Sequence, residues 1–111
     1  MRLVVDASLL VAEVLRKKGQ ERLLHPELTL YIAEPTWQEV LHELYRRQEI
    51  FVAQGKLSAE SATRLVADSL RVAEQAIYIM SERWLEPFKE EALWRMPRDP
   101  TDWPSVALAI V

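Results

Sequence analysis

The sequence predicts an α/β fold, a three-layer sandwich in which helices flank a short parallel sheet. Two observations lead to this prediction. Short apolar or β-branched runs of strand length alternate along the chain with longer segments of helical periodicity. No internal repeat or low-complexity tract interrupts this order. Such alternation is typical of a parallel sheet covered by helices.

The first strand and helix lie at the amino terminus. The run Leu3-Val4-Val5 predicts a buried parallel strand that ends at Asp6. Residues 7–18 predict a helix, because their apolar positions share one face and the basic run Arg16-Lys17-Lys18 suits the negative end of the helix dipole. We expect Gly19 to end this helix as a carboxyl-terminal cap.

The middle of the chain contains a second strand and two long helices. Thr29 to Ala33, rich in β-branched and aromatic residues, predicts the strand. Pro35 opens a helix over about residues 36–53, since a missing N–H costs little in a first turn. One stripe of this helix is apolar, at Trp37, Val40, Leu41, Leu44 and Tyr45. Ser58 is the expected N-cap of the next helix.

The last third of the chain is harder to assign. Ile77 to Met80 predicts a third strand, although a continued helix fits its pattern almost as well. A helix is expected from Glu82 to Trp94, and Pro87 favours a start of the helix proper near that residue. A loop over residues 97–104 then leads to a short apolar helix at the end of the chain.

The amino-acid composition excludes several classes of function. With 111 residues the chain forms one domain, and 50% hydrophobic and 28% charged residues are globular usage. Two glycines cannot build a phosphate-binding glycine loop, and the absence of cysteine removes thiol catalysis, disulfides and cysteine-based zinc sites. The net charge of −3 gives no global attraction to nucleic acid. We expect no signal peptide, no membrane span and a cytoplasmic location.

Four acids are candidates for a metal site. Asp6 follows the first strand, and Asp99 and Asp102 precede the terminal helix, which we expect to pack beside that strand. Glu39 lies in the first turns of the helix after the second strand. Ligands in open α/β sheets sit beyond the carboxyl ends of the strands, so these acids could converge there. Carboxylate oxygens are the ligands that Mg²⁺ or Mn²⁺ requires.

Each acid also has a purely structural interpretation. Asp6 and Asp102 could be helix N-caps, which is the commoner role of an aspartate in that position. Glu39 projects away from the apolar stripe and could be a solvated surface residue, with Glu43 as an alternative acid one turn later. Asp99 could simply stabilise a turn.

Hydroxyl and basic residues near these acids leave similar alternatives. Ser8 could orient a metal-bound water or only bond the local backbone. Arg16-Lys17-Lys18 and Arg46-Arg47 could touch phosphates, although short basic clusters are usually solvated helix faces.

Three segments together resemble the PIN domain family of metal-dependent nucleases, which includes the toxins of VapC-type toxin–antitoxin pairs. They are LVVDAS near the start, EPTWQEVLHEL in the middle and RDPTDWPSVALA near the end. The order, spacing and context of the acids agree with that family over nearly the whole chain. The resemblance implies a PIN-like α/β fold and hydrolysis of RNA phosphodiester bonds with Mg²⁺ or Mn²⁺.

The resemblance also implies roles for individual residues. Asp6, Glu39 and Asp102 become the three acids of the catalytic site, with Asp6, Asp102 and the further acid Asp99 as metal ligands. Ser8 matches the small hydroxyl residue two positions after the first acid. The implied partners are an RNA substrate, an antitoxin protein and a second copy of the chain in a homodimer.

The resemblance has one departure. Family members continue past the last helix into another strand, which pairs beside the first strand and usually ends near a fourth acid. We therefore expect a PIN-like domain that is incomplete at its carboxyl terminus, with Leu3 to Val5 on an open apolar edge suited to pairing with another chain. The alternative function is a catalytically inactive remnant that acts as a protein-interaction or dimerisation module.

Overall fold

The computed structural model describes residues 1–95 and 103–110. Three parallel strands form one sheet in the order β1-β2-β3. The strands are β1 (Arg2–Val4), β2 (Thr29–Ala33) and β3 (Ile77–Met80). The helices are α1 (Ala7–Val14), α2 (Lys17–Leu23), α3 (Glu34–Ala53), α4 (Ala59–Ala76), α5 (Glu82–Leu85), α6 (Lys89–Arg95) and α7 (Trp103–Ile110), with a 3-10 turn at Glu86–Phe88.

The predicted α/β class and all three predicted strands are confirmed. The first strand differs from its prediction in two ways: it spans Arg2–Val4 rather than 3–5, and its residues are exposed rather than buried. Val5, which follows the strand, is buried in the core. In register, Leu3 lies beside Leu30, and Leu30 beside Ile77. The pattern at 77–80 that also suited a helix is therefore a strand. Hydrogen bonding to β2 makes this segment a strand rather than a helix. The local sequence pattern does not predict that pairing.

The two faces of the sheet carry separate apolar clusters. Successive residues of a strand point to opposite faces. Leu30 and Ile32 are buried in one cluster with the apolar sides of α1, α2, α3 and α4. Ala33 belongs to the other cluster, whose buried residues come mainly from α5, α6 and α7. Helices thus cover both faces, as a three-layer sandwich requires.

The predicted first helix is wrong in its length. Instead of one helix over 7–18, α1 ends at Val14 and α2 begins at Lys17, with Arg16 extended at φ −119° and ψ 139°. Gly19 lies inside α2 rather than capping α1. A Cβ on Gly19 would come within 2.1 Å of the Glu13 carbonyl oxygen, so glycine here permits the close approach of α2 to the end of α1.

Two other boundaries differ from the prediction. The helix expected over 82–94 is divided into α5, the 3-10 turn and α6, since Pro87 cannot supply the N–H that a continuous helix needs. Trp103 and Pro104, expected in the loop, are buried residues of α7, and the rest of the expected loop lies outside the described residues. The N-cap at Ser58 is confirmed by the Ser61 N–H, which donates to its hydroxyl at 3.1 Å.

None of the described helices combines the length and the apolar character that crossing a membrane demands.

Candidate functional site

Asp6 is held at the carboxyl end of the sheet by its position between β1 and α1. The Leu9 N–H donates to Asp6 Oδ1 at 2.7 Å, which makes Asp6 the N-cap of α1. The capping interpretation is therefore correct. The cap uses Oδ1 only. Because Oδ2 has no hydrogen-bond partner among the described residues, this second oxygen remains available to bind a cation.

Glu39 reaches the same edge of the sheet from α3, which follows β2 directly. Trp37, Val40 and Leu44 are the buried side of that helix. Glu39 lies on the opposite side and is exposed, as its position off the apolar stripe predicts. The surface it occupies is nevertheless a cleft shared with Asp6.

That cleft, which we call the acid cleft, has a volume of about 550 Å³. Residues from α1, α3, α6 and α7 line it: Asp6, Ala7, Ser8, Thr36, Glu39, Arg95, Ser105, Val106 and Ala109. The structure thus brings together three sequence-predicted residues, Asp6, Ser8 and Glu39. Their carboxylates and hydroxyl give this cleft oxygen donors of the kind that a hard cation takes.

Glu43 lies outside the acid cleft and is engaged by arginines. It lines a neighbouring cleft of about 610 Å³, together with Ala7, Ser8, Val11, Gln38, Glu39, His42 and Arg47. Arg46 Nε donates to one Glu43 oxygen at 3.1 Å, and Arg47 Nε donates to the other at 3.0 Å. These bonds, the one from Arg46 first, hold the pKa of the Glu43 carboxyl below its usual value. Glu43 is therefore a charged anchor for two arginines.

Ser105 and Arg95 also line the acid cleft, although the sequence did not single them out. The Ser105 and Thr36 hydroxyl oxygens lie 2.9 Å apart, which joins α7 to the start of α3 beside the two acids. Ser105 could have been noticed, because it lies three residues after Asp102 in the sequence. Arg95 has no such signal in the sequence, since only the placement of α6 brings it to the cleft.

Asp99 and Asp102 lie outside the described residues, so their expected place in the site stays a prediction. Within 1–95 and 103–110, no group of three or more metal-binding side chains is assembled. Helix α7 nevertheless begins directly after Asp102 and lines the acid cleft through Ser105, Val106 and Ala109.

Fold and site together define a class of protein: an α/β domain with a cleft lined by acids from separate elements at the carboxyl edge of a parallel sheet. A family model described as the PIN domain matches residues 4–111, and the chain belongs to the PIN domain family. PIN domains are in general nucleases and typically bind divalent metal ions. A search of the curated proteins finds no match to the chain.

Proposed function

We propose that this protein is an Mg²⁺- or Mn²⁺-dependent endoribonuclease and the toxin-like component of a toxin–antitoxin pair. The observation that carries the proposal is the acid cleft, where Asp6 from the end of β1 and Glu39 from α3 share one exposed surface. Two carboxylates that arrive from separate elements, in a family of nucleases, indicate a built site.

The donors suit the proposed ion. Mg²⁺ is commonly bound by one or two carboxylates together with waters and substrate phosphates, at octahedral geometry. Asp6 and Glu39 would supply the carboxylates, and Asp102 with Asp99, just before α7, would complete the ligand set. Both described acids have side chains open to solvent, which leaves room for water and substrate.

The bound ion would activate a water and neutralise the negative charge that develops on the phosphate. The protein's own task is positioning. Capping α1 restricts the Asp6 side chain, because Oδ1 is fixed on the Leu9 N–H. The Thr36–Ser105 contact ties α7 to α3, and Ser8 could orient a water at the cleft.

The biological setting is also part of the proposal. An antitoxin that binds the protein and restrains its activity would be the partner. A chain without cysteine suits the reducing cytoplasm, where the RNA substrate is found.

Cleavage of RNA by the purified protein tests the nuclease. In Mn²⁺ the wild type should cut single-stranded RNA, whereas Asp6→Asn, Glu39→Gln and Asp102→Asn should each lose at least about 10–100-fold in rate, the loss typical of disturbing even a supporting residue of a metal site. Glu49→Gln is the matched control, because Glu49 is an exposed glutamate of α3 away from the acid cleft.

Activity that persists in EDTA, or that survives Asp6→Asn and Glu39→Gln at the control's rate, would contradict this assignment. Activity lost only in Asp102→Asn would show that Asp6 and Glu39 do not hold the ion.

A second candidate is favoured by the edge of the sheet. Strand β1 pairs with β2 on one side and has no strand on its other side within the described chain. Leu3 and Val4 are exposed there, beside a groove of about 340 Å³. An open apolar edge invites another strand, which would make the protein a dimerisation or protein-interaction module.

A further inference from the structure

The acid cleft and the neighbouring cleft on α3 share part of their lining. Ala7, Ser8 and Glu39 border both, so the two clefts form one continuous groove along α1 and α3. Arg95 and Asp6 line the acid cleft only, Arg47 lines the neighbouring cleft only, and Glu39 lines both. We propose that this groove carries the backbone of a single-stranded RNA, with Arg95 and Arg47 binding phosphates on opposite sides of the acids. The proposal rests on the nuclease function and adds the path of the substrate.

Each arginine is anchored and still accessible. Arg95 donates from one terminal nitrogen to Glu91 at 2.6 Å, and its side chain is 51% exposed. Arg47 donates from Nε to Glu43, and its side chain is 42% exposed. A guanidinium has five N–H donors, so each anchor leaves donors for a phosphate. The carboxylate partners hold the guanidinium groups at the groove.

The charges along the groove fit a strand that crosses it. At the α3 end Arg46 and Arg47 share the single carboxylate of Glu43, so this cluster has one positive charge in excess, and Arg47 is its arginine that lines the groove. The middle is negative and would repel phosphate until a cation is bound. A backbone anchored at both ends would therefore place one intermediate phosphate over the acids.

The size of the groove favours a single strand. Volumes of about 550 and 610 Å³ lie within the 300–1,000 Å³ typical of small-ligand pockets. Such clefts suit individual nucleotide units rather than the width of a duplex. Nonspecific binding of single strands commonly depends on a cationic groove that follows the backbone.

Binding of a short fluorescent single-stranded RNA, measured by anisotropy across a salt series in EDTA, tests the path without cleavage. The parent protein carries Asp6→Asn and Glu39→Gln together, because these changes remove the acidic charge that would repel phosphate when no cation is bound. Loss of one phosphate contact should weaken binding severalfold and reduce the slope of log affinity against log salt by about 0.7. We expect this for Arg95→Ala and for Arg47→Ala. Arg71→Ala is the control, because Arg71 is an exposed arginine of α4 that is also ion-paired one turn away, to Asp68, and lies outside the groove.

Equal slopes in this parent and in both groove variants made from it would overturn the path, as would a change in only one of them or no RNA binding by the parent. A reduction in both groove variants with the slope of Arg71→Ala unchanged would support it. The nuclease proposal has a separate readout, the Mn²⁺-dependent cleavage, so its failure would be seen there and not in the EDTA titration.

Discussion

At the scale of single residues, Asp6 combines two roles in one carboxylate. Oδ1 caps α1 through the Leu9 N–H, while the rest of the group faces the acid cleft. The two interpretations of this aspartate, a cap and a metal ligand, are therefore compatible. Asparagine separates them, since its carbonyl oxygen caps a helix about as well but carries no charge.

Substitution of Asp6 should reveal the cap independently of any activity. We expect Asp6→Ala to lower the free energy of unfolding by about 1 kcal/mol and Asp6→Asn to change it by only a few tenths. Urea denaturation at neutral pH measures both. Ser58→Ala removes a comparable cap from α4 and should resemble Asp6→Ala. If Asp6→Asn proves as unstable as Asp6→Ala, the charge and not the cap would be the stabilising feature.

The positions of individual site residues could be predicted from the sequence where they depend on neighbouring residues alone. Asp6 follows a strand and precedes a helix, and Glu39 lies off an apolar stripe, so both positions could be inferred. Arg95 and Ser105 enter the acid cleft only because α7 packs against α3 and α6 packs against α7. No local pattern encodes that approach.

At the scale of elements, the break between α1 and α2 is the feature that the sequence pattern did not predict. Helical periodicity continues across it, yet the chain turns at Arg16. The break leaves the Val14 carbonyl oxygen in need of new donors, and the Gln20 side-chain amide meets it at 2.7 Å and the buried Ser69 hydroxyl at 3.0 Å. Tertiary contacts from α2 and α4 thus satisfy the end of α1, which a local reading of Gly19 as a cap could not show.

Glu13 fastens the two short helices together. Its carboxylate accepts from Arg22 Nε of α2 at 2.9 Å and from Arg16 at 2.7 Å. The hydrogen bond from Arg22 is the largest influence, and together these bonds hold the pKa of Glu13 below its usual value. Because the folded-state pKa is depressed, the stabilisation is fully present above the unfolded-state pKa and is lost as pH falls through the folded-state pKa.

Glu13→Gln should therefore remove part of the acid sensitivity of the fold. We expect the difference in unfolding free energy between wild type and variant to be largest near neutral pH and to shrink below about pH 4–5. Denaturant titrations across this range measure it. Glu21→Gln, an exposed glutamate of α2 with no ion pair among the described residues, should run parallel to the wild type. A wild-type advantage over Glu13→Gln that persists unchanged at low pH would contradict the ion-pair account.

At the scale of the whole molecule, the alternation of strands and helices was enough to predict the class and the two covered faces. Parallel strands need crossover connections, and helices of sufficient length lie between these strands in the sequence. The division of the apolar residues into two clusters follows from the period of two along β2. Within residues 1–95 and 103–110, β1 has a neighbouring strand on one side only.

The edge of the sheet provides the test for association with a second copy. Two copies could pair β1 with β1 about a twofold axis, as most homodimers are arranged. Lysine on an edge strand opposes such pairing, because its charge would be partly removed from water in the continuous sheet that the two copies form. We expect Val4→Lys to shift the protein from dimer to monomer in sedimentation analysis. Val52→Lys is matched to it, since both valines have similar exposure, 38% for Val4 and 39% for Val52, but Val52 lies near the end of α3. A wild type that sediments as a monomer at every concentration, or a dimer disrupted equally by both variants, would rule out pairing through β1.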